Sequence, residues 1–375
     1  MTTTKTLSRV FVGSLTRETR YFRQAHGEGI TVLDLDEETG VLTRRHCVSG
    51  TDNPTFLAVD RAGCHLYATS EVFGWNEGTV TAYAIDDHGG LRYLNKQPSL
   101  GSITAHCSLD GAGGYLLAAN YAHEPWGDYG PDLPGQAVAV FAVRQDGGLL
   151  PAASSVRHSG SGPVPQRQTC PHPHCVVVSP DGRFAVVTDL GTDRLHSYRF
   201  ADGVLTTDSA PLPLALPAGS GPRTVVFGPT GRRAYLTCEM TGSIACLDYD
   251  TASGGFAVRQ IVSVMQESYT GANDCADVHL SPDGRFLYGS VRGQDSIAAF
   301  RIDEATGALS AVGHVPVGGA SPRSFAISAT GRFLLAANQN SDTITVFRRD
   351  GRTGGLEQIG SFAIGTPMFV GVQPL

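Results

Sequence analysis

Four ionisable side chains stand out by type and by place: His174, Arg223, Glu239 and Arg292. They occupy equivalent points of a repeated sequence, where sister repeats mostly carry Ala, Thr, Leu or Tyr. Two guanidinium groups offer rigid, forked donors for a carboxylate, a phosphate or a developing oxyanion. A histidine or a glutamate in the same pocket can be tuned to pass a proton. His106, Asp277 and Arg323 are second candidates, although Arg323 also fits a tie to a neighbouring carboxylate that locks two blades. Glu71, Asn120, Tyr121 and Gln339 fall at matching or adjacent points, and Trp126 lies in a long loop beside them. These residues form the candidate substrate-binding set.

The placement of these residues depends on an internal repeat. Its clearest copies are HCVVVSPDGRFAVVTDLGTDRL from 174, RTVVFGPTGRRAYLTCEM from 223, ADVHLSPDGRFLYGSVR from 276 and RSFAISATGRFLLAANQ from 323. Each copy holds four short runs rich in β-branched and aromatic residues, separated by Asp-Gly, Thr-Gly or other Gly-rich turns, which predicts strands joined by hairpins. The fourth run is marked by Leu42, Leu91, Leu149, Leu205, Phe256, Leu309 and Leu356, at spacings of 47 to 58 residues. Seven markers predict an all-β, seven-bladed β-propeller with four antiparallel strands per blade. The chain is read as a single propeller domain over 1–375. VFVGSL at 10–15 reads as a second strand and MFVGVQ at 368–373 as a first strand. The C-terminal strand is therefore expected to join the N-terminal blade and close the ring, removing an open edge.

Strands of a blade are labelled A to D from the axis outward. The start of A and the end of B lie on one face, around the channel. Seven residues before the A–B turn, blades 4, 5 and 7 place His174, Arg223 and Arg323, directly after Pro173, Pro222 and Pro322. The ends of strand B supply Glu71, Tyr121, Glu239, Arg292 and Gln339. The long B–C loops of blades 1 to 3, with Trp75 and Trp126, are expected to hood this mouth. Asp189 and Asp193 read as turn-capping residues, and His172 as packing for a loop.

Composition removes several classes of function. A net charge of -7 without a Lys/Arg-rich run argues against nucleic-acid and anionic-membrane partners. No apolar run is long enough to span a bilayer, and the N-terminus lacks the apolar stretch of a signal peptide. The eight cysteines form no C-x-x-C pair, which predicts reduced, mostly buried thiols and a cytoplasmic protein. Neither a cofactor nor a metal is expected. Glu71, Asn120, Asp189 and Glu239 could supply oxygen ligands to calcium, but two arginines in the same sector would repel the cation. A propeller that only binds proteins is the non-enzymatic alternative. A flat apolar face would favour it.

The sequence resembles the bacterial lactonase family of seven-bladed propellers, which is similar to propeller-type 6-phosphogluconolactonase and to the fungal 3-carboxy-cis,cis-muconate lactonising enzyme. The resemblance rests on VFVGSLT…GITVLDLDEETGVL, HSGSGPVPQRQTCPHPHCVVVSPDGRF, VVTDLGTDRL, VRGQDSIAAFRI and MFVGVQPL, and it covers nearly the whole chain. It implies hydrolysis of a sugar lactone or phospholactone. The alternative it implies is cycloisomerisation of a carboxymuconate-like or specialised-metabolite carboxylate. The family's catalytic His, two Arg and Glu fall on His174, Arg223, Arg292 and Glu239. Either His174 or Glu239 would then act as the base. EPWGDYGPDLP, after Tyr121, replaces a shorter Gly-rich turn of relatives, which implies a different hood and room for a different substrate. A small anionic or lactone substrate is the expected partner, and the oligomeric state is left open.

Overall fold

The computed structural model describes residues 6–121, 135–207, 210–272 and 274–375. Seven antiparallel sheets form a ring of seven blades. The last strand, Pro367–Pro374, is the innermost strand of the blade begun by Leu7–Ser14. Val10 pairs with Val372 and Val12 with Val370, so the ring closes as expected. Each marker residue belongs to a fourth strand. Among the described residues, blade 4 alone adds a fifth strand. Its outer strand is split into Val204–Thr206 and Leu214–Ala215, both paired with Arg194–Ala201.

The A–B turns show why the Ser-Pro-Asp-Gly sequence recurs. In blade 4 the Ser179 hydroxyl bonds Asp181 and accepts the Phe184 amide at 3.0 Å. Gly182 takes φ +73°, a conformation that side-chain-bearing residues rarely adopt. The hydrophobic layers lie between blades. Val10, Leu33 and Leu35 of blade 1 pack on Phe333, Leu335 and Ile344 of blade 7. Adjacent blades are also tied by polar contacts. Tyr67, Tyr235 and Tyr288 on strand B donate their hydroxyls to Gly147, Gly307 and Gly354 in the C–D turn of the next blade.

Register shifts recur at the start of strand A, as they do between strands C and D. In blade 4 Pro173 pairs with Asp189 and Cys175 with Thr188, leaving His174 as an extra residue. The same one-residue bulge falls at Ala105 in blade 3 and at Arg323 in blade 7. In blade 5 it falls within Arg223 and Thr224, between Pro222 and Val225. A bulge releases one side chain from the strict up-down alternation of a strand. In blades 4, 5 and 7 the bulge begins at the residue after the proline, and His174, Arg223 and Arg323 there line the channel.

Candidate active site

Glu239 organises the mouth of the channel. It directly follows strand B of blade 5, which ends at Cys238, and is 4% exposed. Its Oε2 lies 2.9 Å from Arg223 Nε and 3.0 Å from Arg292 Nη2, and its Oε1 accepts from Arg167 Nη2. Burial alone would raise the carboxyl pKa. Arg292, Arg167 and Arg223 outweigh it and hold the group ionised, well below the usual carboxylate range. Arg223 is held further by Nη1 on the Ala276 carbonyl at 2.7 Å. Burial, then repulsion from Arg292, brings its pKa down to about 10. Arg292 is followed by Gly293 at φ +90°, where a Cβ would meet the Ala272 carbonyl oxygen at 2.1 Å.

His174 lies beside this cluster, with the Tyr121 ring edge-on at 5.7 Å between centroids. Burial and the Arg223 charge hold its pKa well below the ordinary histidine value. The imidazole is therefore neutral at pH 7 and able to accept a proton. Asp274 faces Glu239 across the arginines, 3.6 Å from Arg167 Nη1, and burial with Glu239 repulsion raises its pKa.

A cavity of about 530 Å3 opens above these groups, a size suited to a small organic ligand. His174, Arg292, Glu239, Glu71, Tyr121, Gln339 and Arg323 all line it. Glu71 accepts from the Tyr21 hydroxyl at 2.8 Å, and Arg323 stands with Nη2 3.8 Å from Glu71 and Cζ 5.3 Å above the Tyr21 ring centre. Thus Arg323 does tie blade 7 to blade 2, and it lines the cavity as well. Gln339 is 4% exposed, and its Oε1 has no hydrogen-bond partner among the described residues.

Other expected residues lie elsewhere. Arg223, His106 and Asp277 do not line the mouth cavity. They line a smaller chamber beneath it, together with His174 and Arg323. Asn120 is fully buried, bonding Ser99 and Gln136 carbonyls through Nδ2 and the Thr104 hydroxyl through Oδ1, and it does not reach the cavity. The hood is supplied by Arg20, Tyr21 and Phe22 from blade 1 and Phe73 from blade 2, while Trp75 is not part of the lining. Trp126 and most of the 121–135 loop lie outside the described residues.

The four oxygens considered for calcium do not converge. Glu71 accepts from Tyr21, Glu239 is held by arginines, Asn120 Oδ1 accepts the Thr104 hydroxyl, and Asp189 Oδ2 contacts His158 Nδ1 at 2.6 Å. Asp189 Oδ1 also accepts the His172 and Gly191 amides, so it does cap its turn. His158, Asp189 and His196 form the one His/Cys/Asp/Glu group with ligand-like proximity among the described residues. The two rings stack at 3.8 Å with 23° between planes, and the Asp189 carboxylate is already engaged by His158 Nδ1 and by the His172 and Gly191 amides.

The sequence reading missed Arg167. It lies on the segment between blades 3 and 4, far from any counted position. The neighbouring Gln168 anchors that segment, donating through Nε2 to the Leu190 carbonyl and to Asp193 Oδ1, both at 2.8 Å. His172 anchors its end, stacked on Tyr121 and donating from Nδ1 to the Tyr121 carbonyl at 2.9 Å. Arg-Gln between HSGSGP and PHPH was the available signal: a buried glutamine beside a charge that reaches the mouth. Tyr21 was missed because it lies in the B–C loop of blade 1, and Asp274 because it opens strand A of blade 6 two residues before the counted start at Ala276.

Residues 9–372 match the family model described as lactonase, 7-bladed beta-propeller. The chain is 33% identical over 305 residues to a protein named 6-phosphogluconolactonase in Bacillus subtilis (strain 168), covering 81% of this chain and 82% of that one. A Formosa agariphila protein with the same name is 33% identical over 327 residues, covering 85% and 86%. The solved structure of the periplasmic gluconolactonase of Pseudomonas aeruginosa superposes with a TM-score of 0.87 at 32% identity, over 98% of this chain and 99% of that one. With a ring of seven blades, a charged pocket at its mouth and these relatives, the chain belongs to the lactonase family of seven-bladed β-propellers.

Proposed function

We propose that the protein hydrolyses a sugar lactone at the channel mouth, with 6-phosphogluconolactone as the foremost candidate. The observation that carries this reading is the grouping of three guanidinium groups on one carboxylate beside a neutral imidazole. The excess positive charge suits a tetrahedral oxyanion, and the neutral imidazole suits a base. His174 takes a proton from water as the water oxygen bonds to the lactone carbonyl carbon. Arg292 and Arg167, which line the cavity, hold the resulting oxyanion. Collapse breaks the ring carbon–oxygen bond, and His174 returns its proton to the departing oxygen. The product is an open hydroxy acid, whose carboxyl then ionises. Glu239 keeps the arginines in place, and Arg223 supports it from below.

Gln339 and Glu71 are assigned to substrate hydroxyls, Tyr121 and Tyr21 to the sugar ring face, and Arg323 to an anionic substituent. The free state of all eight cysteines suits the reducing cytoplasm, which we take as the site of action. The test is a proton-release assay on gluconolactone, its 6-phosphate and an unsubstituted six-membered lactone. Turnover should rank the sugar lactones well above the unsubstituted ring. Equal rates on all three, or none above spontaneous hydrolysis, would refute the reading.

A further inference from the structure

Beneath the mouth, the channel narrows to a chamber of about 30 Å3. That is room for one or two waters, and a buried water needs two to four polar partners. The chamber supplies them. Thr55 is 5% exposed, and its Oγ1 has no hydrogen-bond partner among the described residues. Asp277 is 7% exposed. One of its oxygens accepts the Val278 amide at 2.9 Å, and the other meets His279 Nε2 at 3.2 Å and the Phe325 amide at 3.3 Å, leaving acceptor capacity on the first. His174 lies in the wall of both the mouth cavity and this chamber.

We propose that the chamber binds a water that joins the His174 ring to Asp277, with the Thr55 hydroxyl as a third partner, and that Asp277 is a positioning residue for proton transfer. One ring nitrogen donates to the water, and the water donates to Asp277. The other nitrogen is thereby left unprotonated toward the mouth, as a base requires. The carboxylate also steadies the imidazolium formed during the reaction, against the nearby charges of Arg223 and Arg323 and in concert with Glu239. His106 does not serve in its place. Its Nδ1 accepts the Val176 amide at 3.4 Å, its Nε2 faces Cys175 Sγ at 3.5 Å, and burial beside Phe56 keeps it neutral.

The kinetic half of the test rests on the lactone-hydrolase reading, and the spectroscopic half does not. In Asp277→Asn, kcat should fall about tenfold or more with KM within about twofold. The acid limb of the kcat profile should move to lower pH, because losing a carboxylate lowers an imidazole pKa. Thr55→Val, which keeps Asp277 and its backbone contacts, should shift both in the same direction but less. Ring-nitrogen NMR of the intact protein, with the His174 signal assigned through His174→Gln, should show one tautomer in the wild type and a mixture in Asp277→Asn. An unchanged tautomer and an unchanged acid limb in folded Asp277→Asn and Thr55→Val would overturn the relay, even if lactones are hydrolysed. If no lactone is turned over, the tautomer measurement still decides it.

Discussion

Arg167 and Glu239 are 72 positions apart, yet the Arg167 guanidinium closes on Oε1 of Glu239 while Arg223 and Arg292 hold Oε2. The ion pair brings the segment between blades 3 and 4 across to the end of strand B in blade 5. Arg167→Ala should therefore lower kcat/KM by roughly 10²-fold, the usual cost of losing one donor to a developing oxyanion. Its side chain is 33% exposed, so the melting temperature should change little. Arg167→Lys restores charge without the forked geometry and should recover only part of the loss. Steady-state kinetics beside thermal melts will check this.

Glu239→Gln and His174→Ala should separate anchor from base. Removing the Glu239 charge leaves Arg223 buried and unpaired, and breaking such a pair costs about 3–5 kcal/mol. That variant should melt markedly lower as well as lose activity. His174→Ala should keep its melting temperature and lose kcat by about 10²-fold or more, with a small change in KM. The reverse pattern, a cool-melting His174→Ala beside a stable, inactive Glu239→Gln, would move the base to Glu239.

The ring and its closure were legible because turn glycines and apolar runs are local signals repeated seven times. The counted strand ends also brought Glu71, Tyr121, His174, Glu239, Arg292, Gln339 and Arg323 to one cavity. The bulges at His174, Arg223 and Arg323 were not legible. A bulge is a register difference between two strands, and one strand's residues do not state it. Depth was also hidden: the count put Arg223 and His174 at equal height, whereas Arg223 lies in the lower chamber and His174 spans both. Arg167 was hidden because a long-range ion pair leaves no periodic trace.

Acid stability should report the buried histidines. Burial lowers the His106 pKa from 6.5 to about 3. Below pH 6.5 the unfolded chain binds a proton that the folded chain refuses until pH is near 3, so stability falls as pH drops through that window. His196, also lowered to about 3, contributes in the same window. His106→Gln should flatten the fall in urea midpoint between pH 6.5 and 4. An unchanged slope would show that His106 titrates normally in the fold.

Turnover should survive exhaustive chelation. Both oxygens of Glu239 are engaged by arginine, and a divalent cation at the mouth would have to displace those contacts against like charge. Activity that vanishes with chelator and returns with calcium would contradict this assignment.

The most direct test of lactone hydrolysis by the arginine–imidazole cluster is kcat/KM for 6-phosphogluconolactone, measured by proton release in wild type and Arg292→Ala at matched melting temperatures. Arg292 lines the cavity and lies on Glu239, 3.0 Å away. The prediction is clear acceleration over spontaneous opening by the wild type, and a loss of roughly 10²-fold or more in a variant that stays folded. A folded Arg292→Ala with wild-type kcat/KM would contradict the account and place the chemistry elsewhere.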